Sequence, residues 1–139
     1  MTKIAIGLRA QKGGAVIVAL SVAADGPDIL LSSFLPTSTE GDRLSYEPYR
    51  VAFETVQGGA RAEAASAVAE GRGRQDWLAA DGLQAVVERL HRKPDIAALL
   101  VNRAGWITDL LDYSLAWPDH VPVAETLAVR DALRFAVSR

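Results

Sequence analysis

The first 35 residues constrain the fold more than any other stretch, because three runs of strand-forming side chains follow one another with only turn residues between them. The runs are Lys3 to Arg9, Ala15 to Val22 and Ile29 to Leu35, parted by Gln11-Lys12-Gly13-Gly14 and by Asp25-Gly26-Pro27. Alternation is cleanest in the second run, where Val16, Val18, Leu20 and Val22 point one way and Ile17, Ala19 and Ser21 the other. Links this short can join neighbouring strands only antiparallel, so the chain opens as a three-stranded unit.

The remaining residues read as elements laid onto that sheet, and 139 residues make one domain, 1–139. Pro36 to Arg43 is a polar surface link, and Leu44 to Glu54 is a short helix or turn in which Pro48 suits a first helical turn. From Gly59 to Arg92 a stripe of Ala62, Ala65, Ala69, Gly73, Ala80, Leu83, Val87 and Leu90 predicts one long helix, bent near Gly71 to Arg74. Ile96 to Asn102 is a short apolar run between turn signals, which predicts a buried fourth strand. A helix from Ile107 to Trp117, a fifth strand over Val121 to Glu125 and a last helix over Thr126 to Val137 complete the chain. Pro122 cannot donate to a ladder and puts the fifth strand at an edge or a start. The expected fold is α/β: a mixed five-stranded sheet, three antiparallel strands followed by helix, strand, helix, strand, helix, with the later strands joining in parallel.

Composition excludes several chemistries. There is no cysteine, so disulfides, thiolate catalysis and cysteine metal sites are ruled out. The two histidines, His91 and His120, have no spaced partners that would make a ligand set, and no metal site is expected. No Walker-type or dinucleotide motif occurs, no nucleophile elbow surrounds the serines, and no cofactor is expected. A net charge of -2 gives no pull toward nucleic acid, which as a partner is left unsupported by charge. No apolar run is long enough to span a membrane and the amino terminus runs straight into a strand, so a cytoplasmic protein without a membrane partner is expected. Arg72 and Arg74 read as a solvated helix face, and Trp77, Trp106 and Trp117 as core or interface anchors.

The order of elements resembles the ribonuclease-H-like superfold, shared by ribonucleases, Holliday-junction resolvases, integrases and each half of the actin-like ATPases. Three pieces of the chain also resemble a family of uncharacterised bacterial proteins associated with that fold: Gly7-Leu8-Arg9 followed by Gly14 to Leu20, Pro48-Tyr49-Arg50, and Glu125 with Val129 to Leu133. Where that family often has histidine after Pro-Tyr, this chain has Arg50, so no imidazole role is implied. Active members of the superfold hold two metals with acids on the first strand, near the end of the fourth and on a helix. Here those places carry Leu8 or Arg9, and Asn102 with Arg103; Glu125 and Asp131 alone match the acidic inventory.

The resemblance thus implies a candidate site of Arg9, Asn102, Glu125, Arg130 and Asp131 converging near one sheet edge, where an arginine paired to a carboxylate serves either structure or function. Tyr49, Arg50 and Glu54 join them as an aromatic and charged segment of the kind that carries recognition. The functional expectation is a non-catalytic ribonuclease-H-like module, a pseudoenzyme, that acts through a protein partner or self-association. Its rival is a diverged metal-dependent nuclease or phosphate-ester hydrolase, or a nucleic-acid binder, using Glu47, Glu54, Glu125 or Asp131.

Overall fold

A computed structural model describes residues 2–100, 107 and 109–138. The opening unit forms as its alternation dictates, with β1 (Lys3–Gln11), β2 (Gly14–Ala23) and β3 (Gly26–Pro36) each antiparallel to the next. Gly13 turns the first hairpin with φ of +87°, a conformation that a side chain would strain. β4 (Ile96–Leu100) joins β1 in parallel, and the sheet order is β3-β2-β1-β4. Asp95 clips the start of β4 to β1, its N–H donating to the Ile4 carbonyl at 2.7 Å and its carboxylate accepting from the Ile4 N–H at 2.8 Å.

The helices are α1 (Arg43–Tyr46), α2 (Pro48–Gln57), α3 (Arg61–Leu90), α4 (Leu110–Ala116) and α5 (Val121–Val137), the last entered through a short 3-10 turn at Pro118–His120. Four strands, not five, make up the sheet among the described residues. Val121 to Glu125 is the first turn of α5 rather than a strand. Pro122 is as well suited to that turn, where its missing N–H would find no helical acceptor anyway, as to a sheet edge. α3 is one long helix as expected, unbroken for 30 residues across Gly71 to Arg74.

Among the described residues the helices pack on one face of the sheet. Ile6, Leu8, Ile17, Ala19, Leu31 and Leu35 point to that face and pack against Ala79 and Val86 of α3 and Val129, Ala132 and Leu133 of α5. A second cluster, away from the sheet, joins Tyr49 and Ala52 of α2, Ala64 and Val68 of α3, Leu110 of α4, and Val121, Ala124, Leu127 and Ala128 of α5. α3 and α5 each run through both clusters, which couples the sheet to the small helices. The buried positions of α3 are Ala64, Val68, Gly71, Gln75, Ala79 and Val86, while Ala62, Ala65, Ala69 and Gly73 lie exposed. Alanine surrounds the first half of this helix, so periodicity alone did not reveal which side would turn inward. Gly71 decides it: a Cβ there would sit 2.7 Å from Pro48 Cβ and collide with the Leu44 carbonyl, so only glycine lets the α1–α2 corner rest on α3.

Candidate functional site

The sequence places Pro48, Tyr49 and Arg50 at the start of α2, where backbone N–H groups lack helical acceptors. Pro48 has no N–H to satisfy. Tyr49 and Arg50 donate theirs to the carboxylate of Glu125, at 2.9 and 3.3 Å, and the Val51 N–H reaches the Glu47 carbonyl at 3.1 Å. A carboxylate from α5 therefore caps α2 in place of a local side chain, and its charge meets the positive end of the helix dipole. Glu125 is 1% exposed. Burial pushes its carboxyl up from 4.5 to about 7, against the opposing pull of the two N–H donors and of Lys12.

Tyr49 carries the connection onward. Its ring is buried, and its hydroxyl accepts from Arg72 Nη1 at 3.3 Å. Arg72 Nη2 also reaches Asp131 Oδ2 at 3.1 Å, while Arg130 donates to Asp131 Oδ1 through Nη2 at 3.0 Å and Nε at 3.3 Å. One aspartate thus clamps two guanidiniums, and burial raises the Asp76 carboxyl beside them with Asp131 adding to the shift. Chain order did not suggest Arg72 as a member, since its position looked like a solvated face; its partner lies 59 residues away.

Five candidates, Tyr49, Arg50, Glu125, Arg130 and Asp131, are therefore joined in one network. Glu54 belongs to another, in which Arg43 bridges it at 2.7 Å and Glu47 at 2.8 Å, and Lys12 meets Glu47 at 3.1 Å. Arg9 stands apart: Leu8 beside it faces α5, so alternation turns Arg9 to the opposite side of the sheet, where it is exposed. Asn102 lies outside the described residues. Glu47, Glu54, Glu125 and Asp131 each end on cations or backbone donors rather than on one another. Among the described residues no three acids or histidines gather as a metal-binding group.

The sheet face that carries Arg9 is different in kind. By register it includes Lys3, Ala5, Gly7 and Arg9 on β1, Val16, Val18, Leu20 and Val22 on β2, Pro27, Ile29, Ser32 and Phe34 on β3, and Ile96, Ala98 and Leu100 on β4. Among the described residues no helix packs against it, and Phe34, Ile96 and Leu100 are 46%, 52% and 66% exposed. β4, expected to be buried, is open on its other side too. Ala97 there is exposed over a cleft of about 880 Å³ lined by Ile6, Trp77, Leu83 and Ala136. Trp77 stands at this cleft, 66% exposed, rather than in the core. Within the described sheet β4 pairs with β1 alone, which leaves its outer backbone edge without a strand.

No helix is long and apolar enough to cross a membrane among the described residues. No family model, no curated protein and no solved structure matches the chain.

Proposed function

We propose that this protein is a non-catalytic module of ribonuclease-H-like type that works by protein association, and that another polypeptide layer adds to its sheet at β4. The fold reading is supported by three antiparallel strands followed by a parallel fourth next to the first. The association reading rests on one observation: among the described residues β4 exposes apolar side chains on both faces and a backbone edge with no strand beside it. Parallel pairs in α/β proteins are covered on both faces because their strands are apolar on both, and an exposed edge is a template for a further strand. The acids that the hydrolase reading needs are each engaged with arginine, lysine or backbone N–H, which supports association over catalysis.

A photo-reactive residue placed at Leu100 in the producing cell, with one at exposed Glu63 of α3 as control, tests this. A discrete protein adduct at position 100 and none at 63 is the expected result. Equal labelling, or none at position 100, would overturn the reading, as would manganese-dependent phosphodiester cleavage abolished by Asp131→Asn.

A further inference from the structure

Resting on that association reading, we infer that the layer added at β4 is a second copy of this chain, with the two β4 strands antiparallel about a two-fold axis through Ala98. The two edges of the sheet differ in the way this requires. β3, at one edge, carries Pro27 and Pro36, a charge at Asp28, polar Ser32 and Ser33, and a register shift opposite Ala19 and Leu20. These are the devices that blunt an edge against pairing. β4, at the other, is Ile96-Ala97-Ala98-Leu99-Leu100, with no charge, no proline and no bulge.

The β4 sequence also complements itself. Antiparallel pairing about Ala98 sets Ile96 opposite Leu100 twice on the open face, with the two small Ala98 side chains between them. On the helix side it sets Leu99 of the second copy opposite Ala97, a small residue beside the cleft that Trp77 borders. Within Ile96–Leu100 large side chains meet either a matching large one or an alanine, and the paired residues carry no charge. The alternative of stacking two open sheet faces is disfavoured by charge. Lys3 and Arg9 are the charged residues of that face by register, and it offers no acid to receive them. Edge pairing leaves both cations in water. It gives an isologous contact that closes on itself, as a two-fold dimer must, and joins the sheets into one of eight strands in the order β3-β2-β1-β4-β4-β1-β2-β3.

The chain contains no cysteine, so a single introduced thiol reports on this geometry without background. Ala98→Cys places two thiols opposite each other across the axis, at the strand separation a disulfide accepts. Ile96→Cys places its two thiols several residues apart along the strands, beyond bridging. Under mild oxidation of the full chain the expected result is a covalent dimer from Ala98→Cys and none from Ile96→Cys. Light scattering of the unmodified chain is expected to give twice the 14.9 kDa monomer mass at high concentration. Leu100→Lys is expected to weaken that association at least tenfold while leaving the circular dichroism unchanged, since Leu100 projects into solvent in the single chain. A monomer at all concentrations, or a dimer that Ala98→Cys fails to trap, would overturn the inference. In either case an adduct to a different protein from position 100 would leave the association reading standing, and the absence of any adduct would remove both.

Discussion

At the corner where α5 meets α2, a carboxylate with 1% exposure is matched to two backbone donors, whereas along β4 Ile96 and Leu100 lie in water with no helix over them among the described residues. The corner holds groups that are expensive to bury and are stable there only because each has a partner. The β4 side holds groups that would gain from burial, roughly 25 cal/mol for each Å² of apolar surface removed from water, and have not had it. Structural integrity therefore resides in the corner and in the core beneath β1 and β2. The capacity for a further interaction resides at β4.

The sharpest break in this contrast is Glu125→Ala. It strips the Tyr49 and Arg50 N–H groups of their acceptor inside the second cluster, and unsatisfied buried donors cost about 1–3 kcal/mol each. A loss of about 4 kcal/mol is expected in urea unfolding, enough to threaten a domain of this size. A small loss, under about 1 kcal/mol, would mean that the cap is incidental.

Next in size is a pair of leucine truncations. Leu8 is 2% exposed beneath the helices and Leu100 is 66% exposed on β4. Leu8→Ala is expected to destabilise by about 3 kcal/mol through lost burial and the cavity left behind. Leu100→Ala, measured at a dilution where the chain is single, is expected to change stability by less than about 0.5 kcal/mol. Equal effects would contradict the division between a load carried at β1 and β2 and a surface offered at β4.

How far each region could be read from the residues follows from what signal it carries. The meander was visible because period-two alternation and glycine turns are local, and the observed strands extend the expected ones by one to three residues at an end. Ile96 to Leu100 was recognisable as a strand, but an unbroken apolar run ordinarily means cover on both faces, and nothing in the run itself says that cover is missing. Val121-Pro122-Val123 fits an edge strand and a first helical turn equally, and the helix forms because Ala124, Leu127 and Ala128 then bury on one side of it. The candidate site was half visible. Glu125 stands out as a charge in an apolar neighbourhood, and Asp131 as an acid beside Arg130. Arg72 and the buried Gln75, which donates to the Ser45 carbonyl at 2.9 Å, depend on contacts between distant segments and leave no local mark.

The last of the expected effects separates the two regions by pH. Because burial raises the Glu125 carboxyl to about 7 in the folded chain, against an ordinary 4.5, the folded state binds its proton more tightly than the unfolded state does. The stability this supplies is fully present below pH 4.5 and is lost as pH rises through 7, a difference of roughly 2–3 kcal/mol between pH 5 and pH 8. Glu47 and Glu54 act in the opposite sense, since Arg43 holds both carboxyls below their ordinary value, but their contribution is lost only as pH falls below 4.5. Urea midpoints should therefore climb on acidification from pH 8 to pH 5 and then fall. Glu125→Gln removes the titrating group, keeps one acceptor for the α2 donors and should flatten the climb. The acid-side fall should remain, because the Arg43 pairs are untouched. If the climb survived in Glu125→Gln, the raised proton affinity would belong to another group, such as Asp76, whose carboxyl burial also raises. β4 carries no titratable side chain, so the association it supports should not follow this profile except through the fold. A dimer whose concentration dependence tracked the Glu125 titration in the folded range would mean that corner and edge are coupled through α5, which touches β4 as well as α2.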